Sequence, residues 1–194
     1  MSNQLVSQDP AARLAERQRW ITPSAQQAAQ TAIAEAFDEL GGEKLRSALH
    51  GDWLHQPLHA VLTDIPVGAW TAAVAFDAIA ALGSNRAMDN AADACVGLGL
   101  VGAVGAAVTG LNDWAEVKRD APRRIGAVHG ILNVIATGAF IGSLAVRRLG
   151  GTRSQTRSKA RALAALGFVI ASASAHLGGN LVYEHSVGPS QKRS

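Results

Sequence analysis

Three histidines carry the chemistry open to this chain. His59, His129 and His176 each fall within a long apolar run, and neutral imidazoles on facing helices are a common way to hold haem iron. His59 and His129 are the first choice as axial ligands of a haem b, with His176 as the substitute for either. Arg123 and Arg124 precede His129 by one to two helical turns, close enough to pair with propionates at a membrane surface. The spacings His129/Asn133 and His176/Asn180 are i,i+4, so each pair shares a helix face. Asp64 lies about 9 Å into the first apolar run at the helical rise of about 1.5 Å per residue. If these faces converge, they line one polar pocket. A second chemistry is a non-haem metal site, with His55, His59 and His129 joined by Asp64 or Asp113 as the N/O ligands that zinc or iron accept. Pro57 separates His55 from the helix and removes its shared face with His59. A third reading is a scaffold or partner-binding subunit with no cofactor, in which imidazoles and amides bond one another to set helix register, at about 0.6 to 2 kcal/mol each. Transport is a fourth.

The elements that must position these groups are apolar runs at about 58–82, 94–111, 125–146 and 162–183. Each approaches or exceeds the about 20 residues that cross a bilayer as a helix. They are built mostly from Ala, Gly, Leu and Val, which suits close helix contact in lipid, with bulky residues playing little part. The stretches at 83–93, 112–124 and 147–161 are short, so successive spans are antiparallel neighbours. The fold expected is an all-α integral membrane up-down four-helix bundle: residues 1–50 form a polar segment with an amphipathic or surface helix, 51–186 the four-span domain, and 187–194 a tail. Within the first segment, Thr22-Pro23 is a helix start and Gly41-Gly42 a stop. Ala29, Ile33, Phe37 and Leu40 make the apolar face between them, and Lys44 to His50 adds a further turn. Pro66 should kink the first span. The second span carries small-residue ladders at Gly99/Ala103 and Gly102/Ala106/Gly110, which favour close packing.

Charge is scarce and lies mainly outside the runs. The acid-free series Arg147, Arg148, Arg153, Arg157, Lys159 and Arg161 reads as a juxtamembrane loop facing anionic lipid, and not as a nucleic-acid site. Lys and Arg are nearly balanced between the two sides. The dense acid-free loop is taken as cytoplasmic, which places both termini on the extracytoplasmic side. Asp77 is a rim residue, His50 and His185 are interfacial or solvated, and Trp53, Trp70 and Trp114 form an interfacial belt. Cys95 stands alone and permits no internal disulfide. Residues 1–50 lack an apolar signal region, so the first span is expected to drive insertion. No phosphate loop, nucleophile elbow or His-Glu-x-x-His helix is present, which argues against familiar soluble enzyme chemistry and for a protein that is not an enzyme on its own.

The stretch Pro57-Leu-His59-Ala-Val-Leu-Thr-Asp64-Ile-Pro66-Val-Gly68-Ala-Trp70 resembles the opening motif of the bacterial membrane family known as domain of unknown function 2231. Thr109-Gly-Leu-Asn-Asp113-Trp114, Arg123-Arg-Ile-Gly-Ala-Val-His129-Gly-Ile-Leu-Asn133 and Leu177-Gly-Gly-Asn180-Leu-Val-Tyr183-Glu-His185 extend the similarity over about residues 50–190. The resemblance implies a multi-pass protein of the bacterial inner membrane. Some members are joined to Rieske iron–sulfur domains, which implies redox company. Ala60 stands where a Pro commonly follows the His, and no Rieske-type Cys/His motif is appended. The expected partners are the lipid bilayer, a redox protein and a second copy of the chain.

Overall fold

A computed structural model describes residues 9–18, 21–83, 85–150, 154–185 and 187. Arg153, Lys192, Arg193 and nearly all of the expected tail lie outside the described residues. Helix is the sole regular secondary structure among them. It comprises α1 (Pro10–Glu16), α2 (Pro23–His50), a 3-10 turn (Asp52–Leu54), α3 (Leu58–Gly83), α4 (Arg86–Ala115), α5 (Asp120–Leu149) and α6 (Ser154–Tyr183). The last four are long and apolar enough to cross a membrane. They run 26, 30, 30 and 30 residues, about 39 to 45 Å at the helical rise, against a hydrocarbon thickness of about 30 Å. The helices continue past the apolar runs, and the connections are correspondingly shorter than expected. Side chains such as Val101, Val104, Val134 and Val169 are exposed, while Ala73, Ala136, Ala160 and Ala164 are buried. Small residues inside and branched residues outside is the pattern of a bundle solvated by lipid.

The described residues divide into two compact units. A terminal unit takes its residues from Met1–His59, Val108–Ile131 and Ser174–Ser194, and a second unit from Ala60–Ala107 and Leu132–Ala173. Each of the four long helices contributes to both.

In the terminal unit, Thr22 caps α2 by accepting from the Ala25 N–H at 3.2 Å, and Pro23 supplies the first turn. The stop expected at Gly41-Gly42 is a break: Gly42 has φ 60°, ψ −149°, a conformation open essentially to glycine alone. The chain then resumes as helix to His50 and ends at Gly51 in the left-handed region, φ 83°. The buried face of α2 differs from the expected one. Gln26 and Gln30 are buried, whereas Leu40 and Ala29 are exposed. Gln30 Nε2 donates to the Trp114 and Val117 carbonyls at 2.7 and 3.0 Å, oxygens left without helical partners where α4 ends. Gln30 thus ties α2 to the end of α4.

In the second unit the core is Trp70, Ala73, Val96, Phe140 and Ala164. Trp70 stacks on Phe140 with centroids 4.0 Å apart and planes inclined by 10°. A Cβ on Gly99 would collide with the Trp70 indole, so the glycine ladder of α4 is the slot in which that ring lies. Trp70 is therefore a core residue and not part of an interfacial belt, and a bulky pair stands at the centre of the packing.

Candidate functional site

The terminal unit brings His59 and His129 together. Their ring centroids lie 6.4 Å apart with planes at 87°. Glycines set both rings. A Cβ on Gly110 of α4 would sit 2.8 Å from His59 Cε1, and one on Gly178 of α6 would sit 3.0 Å from His129 Cε1. Each imidazole therefore rests on bare backbone of a neighbouring helix. His129 Nδ1 is 2.7 Å from the Ser174 carbonyl oxygen. A carbonyl only accepts, so in the neutral ring Nδ1 carries the proton and Nε2 carries the lone pair. Ser174 returns the contact by donating its hydroxyl to the His129 carbonyl at 2.9 Å, which locks α5 to α6 at this level. His59 Nδ1 lies 3.5 Å from Thr109 Oγ1.

Two imidazoles bound on opposite sides of one metal ion, at about 2 Å each, place their centroids about 6 Å apart. The observed centroid spacing is close to that distance, and the tautomer of His129 leaves the lone pair on Nε2. Among the described residues, no three His, Cys, Asp or Glu side chains gather as a metal site. A two-imidazole pair suits an ion whose other positions are filled from outside the protein, as haem fills four.

The other candidates are distributed differently. His176 is in the terminal unit, but its side chain is 63% exposed and its Nε2 lies 2.8 Å from Asp9 Oδ2, at the start of α1. Asn180 is buried in the same unit. Asp64, exposed, and Asn133, half-buried, belong to the second unit. His55 is exposed, outside the helix, and in the left-handed region at φ 56°. Arg123 pairs with Asp120 one turn away and its backbone carbonyl accepts from Trp114 Nε1 at 2.9 Å. Arg124 is half-buried.

Asp113 is engaged by His50, whose Nδ1 lies 2.7 Å from its Oδ1, while His50 Nε2 lies 3.0 Å from Glu116 Oε1. Arg46 reaches the same Glu116 oxygen at 3.0 Å. His50 is thus a clamped residue and not a solvated one. Its hydrogen bond to Asp113 and the charge of Glu116 raise its pKa above the ordinary value in spite of burial. Burial alone would raise Glu116, but bonding and charge from His50 and Arg46 more than offset this and hold its pKa below the ordinary carboxylate value. His185 is also buried, with its carbonyl accepting from Arg119.

The second unit contains a cluster that spacing alone did not reveal. Arg147 of α5 has no exposed side-chain surface. It pairs with Asp77 of α3 and, at 2.9 Å, with Asp93 of α4. Arg157 of α6 adds a 2.7 Å contact to Asp93, and Arg161 one of 2.8 Å to Asp89. Ser143 donates to the Ala160 carbonyl at 2.7 Å and accepts from Arg147 Nε at 3.1 Å. Asp77 is therefore a buried partner and not a rim residue, and Arg147, Arg157 and Arg161 are ion-pair members before they are lipid-facing cations. The i,i+4 spacings Asp89/Asp93 and Arg157/Arg161 were the available signal.

No curated protein and no solved structure matches this chain. A family model described as "Predicted membrane protein (DUF2231)" matches residues 55–191, a stretch that takes in all four long helices and both polar clusters. The chain therefore belongs to the DUF2231 family of predicted membrane proteins, and its four helices long and apolar enough to cross a membrane agree with that description.

Proposed function

We propose that the terminal unit holds one haem b through His59 and His129, and that the protein is an electron-transfer subunit of a bacterial cytoplasmic membrane working with a redox partner. The observation that carries this reading is the 6.4 Å spacing of the two rings, supported by the tautomer that the Ser174 carbonyl imposes on His129. Haem iron with two imidazole ligands supplies reversible one-electron transfer and leaves no open position for substrate chemistry. The chain's own task is to hold two rings at fixed separation, which Gly110, Gly178 and Ser174 do from α4 and α6. Nδ1 bonding to a backbone carbonyl also increases the basicity of the opposite nitrogen, a tuning of the iron that needs no charged residue.

One observation favours a scaffold with no cofactor: the reciprocal bonds between His129 and Ser174 would fix the α5/α6 register even with nothing bound. An optical spectrum of protein expressed with haem in supply and purified in mild detergent separates the two. The electron-transfer reading expects a Soret band that shifts on reduction, is lost in both His59→Ala and His129→Ala, and survives in His176→Ala. A folded, colourless and iron-free sample sinks it and leaves the scaffold.

A further inference from the structure

Beside the α4–α5 connection the terminal unit has an open cleft of about 520 Å³, within the range of small-molecule sites. Its walls include Gln27, Gln30, Arg46, Glu116, Lys118 and Arg123. Glu116 is its one acid, and that charge is already met by Arg46 at 3.0 Å and His50 at 3.0 Å. Arg46 in turn meets Asp38 at 3.5 Å as well as Glu116. Two cations remain less occupied. Lys118 is exposed and makes no ion pair among the described residues. Arg123 has one carboxylate contact, to Asp120, and its Nε has no hydrogen-bond acceptor there. The excess of positive charge is thus concentrated on the two residues that bracket the start of α5. Arg119 and Arg124 lie next to them in the chain.

The position in the chain identifies the ligand class. Glu116 to Lys118 directly follow the last residue of one span, and Arg123 lies in the first turn of the next. With helices of about 45 Å and a hydrocarbon layer of about 30 Å, such residues stand at headgroup level, where lipid phosphate is the abundant anion and basic clusters recognise it. We propose that this cleft binds a phosphate-bearing anion, the headgroup of an anionic phospholipid, with Lys118 and Arg123 as its charge contacts and the Gln27 amide available to a headgroup hydroxyl. This inference uses neither His59 nor His129 and shares with the haem reading only Arg123, the residue expected beside the propionates.

The test titrates the detergent-solubilised full chain with short-chain phosphatidylglycerol, with phosphatidylcholine of the same chain length, and with inorganic phosphate, reading intrinsic fluorescence. Saturable phosphatidylglycerol binding is expected, at least about tenfold tighter than phosphatidylcholine. Lys118→Gln, an exposed and structurally mild change, should weaken it by about fivefold to tenfold, and Lys118→Gln with Arg123→Gln by a further similar factor. Arg86→Gln, exposed and in the second unit, should leave binding unchanged. Inorganic phosphate binding as tightly as phosphatidylglycerol would keep the anion site but assign it to a free anion and overturn the lipid headgroup. Equal binding of both lipids, an unaffected double variant, or an equal loss in Arg86→Gln would overturn the site.

Discussion

The two units use the same four helices and meet the same difficulty, polar groups at membrane depth, in different ways. The second unit saturates its charges. Arg147, Asp77 and Asp93 meet as ions, Arg157 and Arg161 add to them, and Ser143 accepts from Arg147 Nε. The terminal unit places two imidazoles against glycine backbone and a carbonyl oxygen. Charges paired in low dielectric are costly to separate, so the first arrangement suits holding helices together. Neutral rings with one nitrogen engaged cost less to bury and keep a lone pair, so the second suits binding. The difference suggests a division of labour: stability concentrated in the arginine cluster, ligand chemistry in the histidine pair.

Breaking the ion pair should have the largest effect. Arg147→Ala leaves Asp77 buried and facing no direct cation other than Arg161 at 3.8 Å, and the expected loss is about 3 to 5 kcal/mol, read from denaturation in detergent. Replacing both partners, Asp77→Leu with Arg147→Met, should recover most of that loss, because Asp93 keeps Arg157. If Arg147→Ala unfolds like the parent, the cluster is not what holds the second unit.

Glycine substitutions sharpen the comparison at a smaller scale. Gly99→Ala drives a methyl into the rigid Trp70 indole and should cost about 1 to 3 kcal/mol. Gly178→Ala meets the His129 ring at 3.0 Å, a contact that a few tenths of an ångström relieve, so it should cost less in stability while moving the imidazole. Gly68→Ala, with open space around its Cβ position, should be neutral or gain up to about 1 kcal/mol from helix propensity. Thermal midpoints ranked in any other order would show that ring packing does not set these positions.

The fold was legible because span length and apolar composition are one-dimensional properties: 20 or so apolar residues read as a span whatever they touch. The rotation of each helix about its axis is not one-dimensional, and the site depends on it. His59 and His129 share a unit as expected, but His176, judged by depth alone, is carried outward to Asp9, and Asp64 is exposed in the second unit. Asp77 and Arg147 looked like edge charges because nothing in the sequence says that they face each other or that two other helices turn carboxylates and guanidinium groups toward them. Trp70 resembled a belt residue for the same reason: its slot is made by Gly99, far away in the chain. Ser174 had no signal at all, since its contribution to the His129 tautomer comes from its backbone carbonyl.

That last point makes a prediction about atoms. Ser174→Ala removes the hydroxyl bond to the His129 carbonyl but keeps the carbonyl that accepts from Nδ1. It should cost about 1 kcal/mol and leave the nitrogen shifts of His129 in the Nδ1-protonated pattern by NMR. A change of tautomer would mean that the hydroxyl, and not the backbone, decides which nitrogen binds.

The smallest expected effect lies in the clamp between α2 and the end of α4. His50 has a folded pKa raised above its ordinary 6.5, so its contribution is full below that value and is lost as pH climbs through the raised one. Glu116 is lowered from its ordinary 4.5, so its contribution is full above that value and fades as pH falls through the lowered one. The clamp is therefore tightest from about pH 4.5 to 6.5. The stability difference between the parent and His50→Gln should be greatest there and shrink toward pH 9. A His50→Gln difference that grows with pH would mean that the ring is bound neutral and that the clamp relies on its geometry and not on charge.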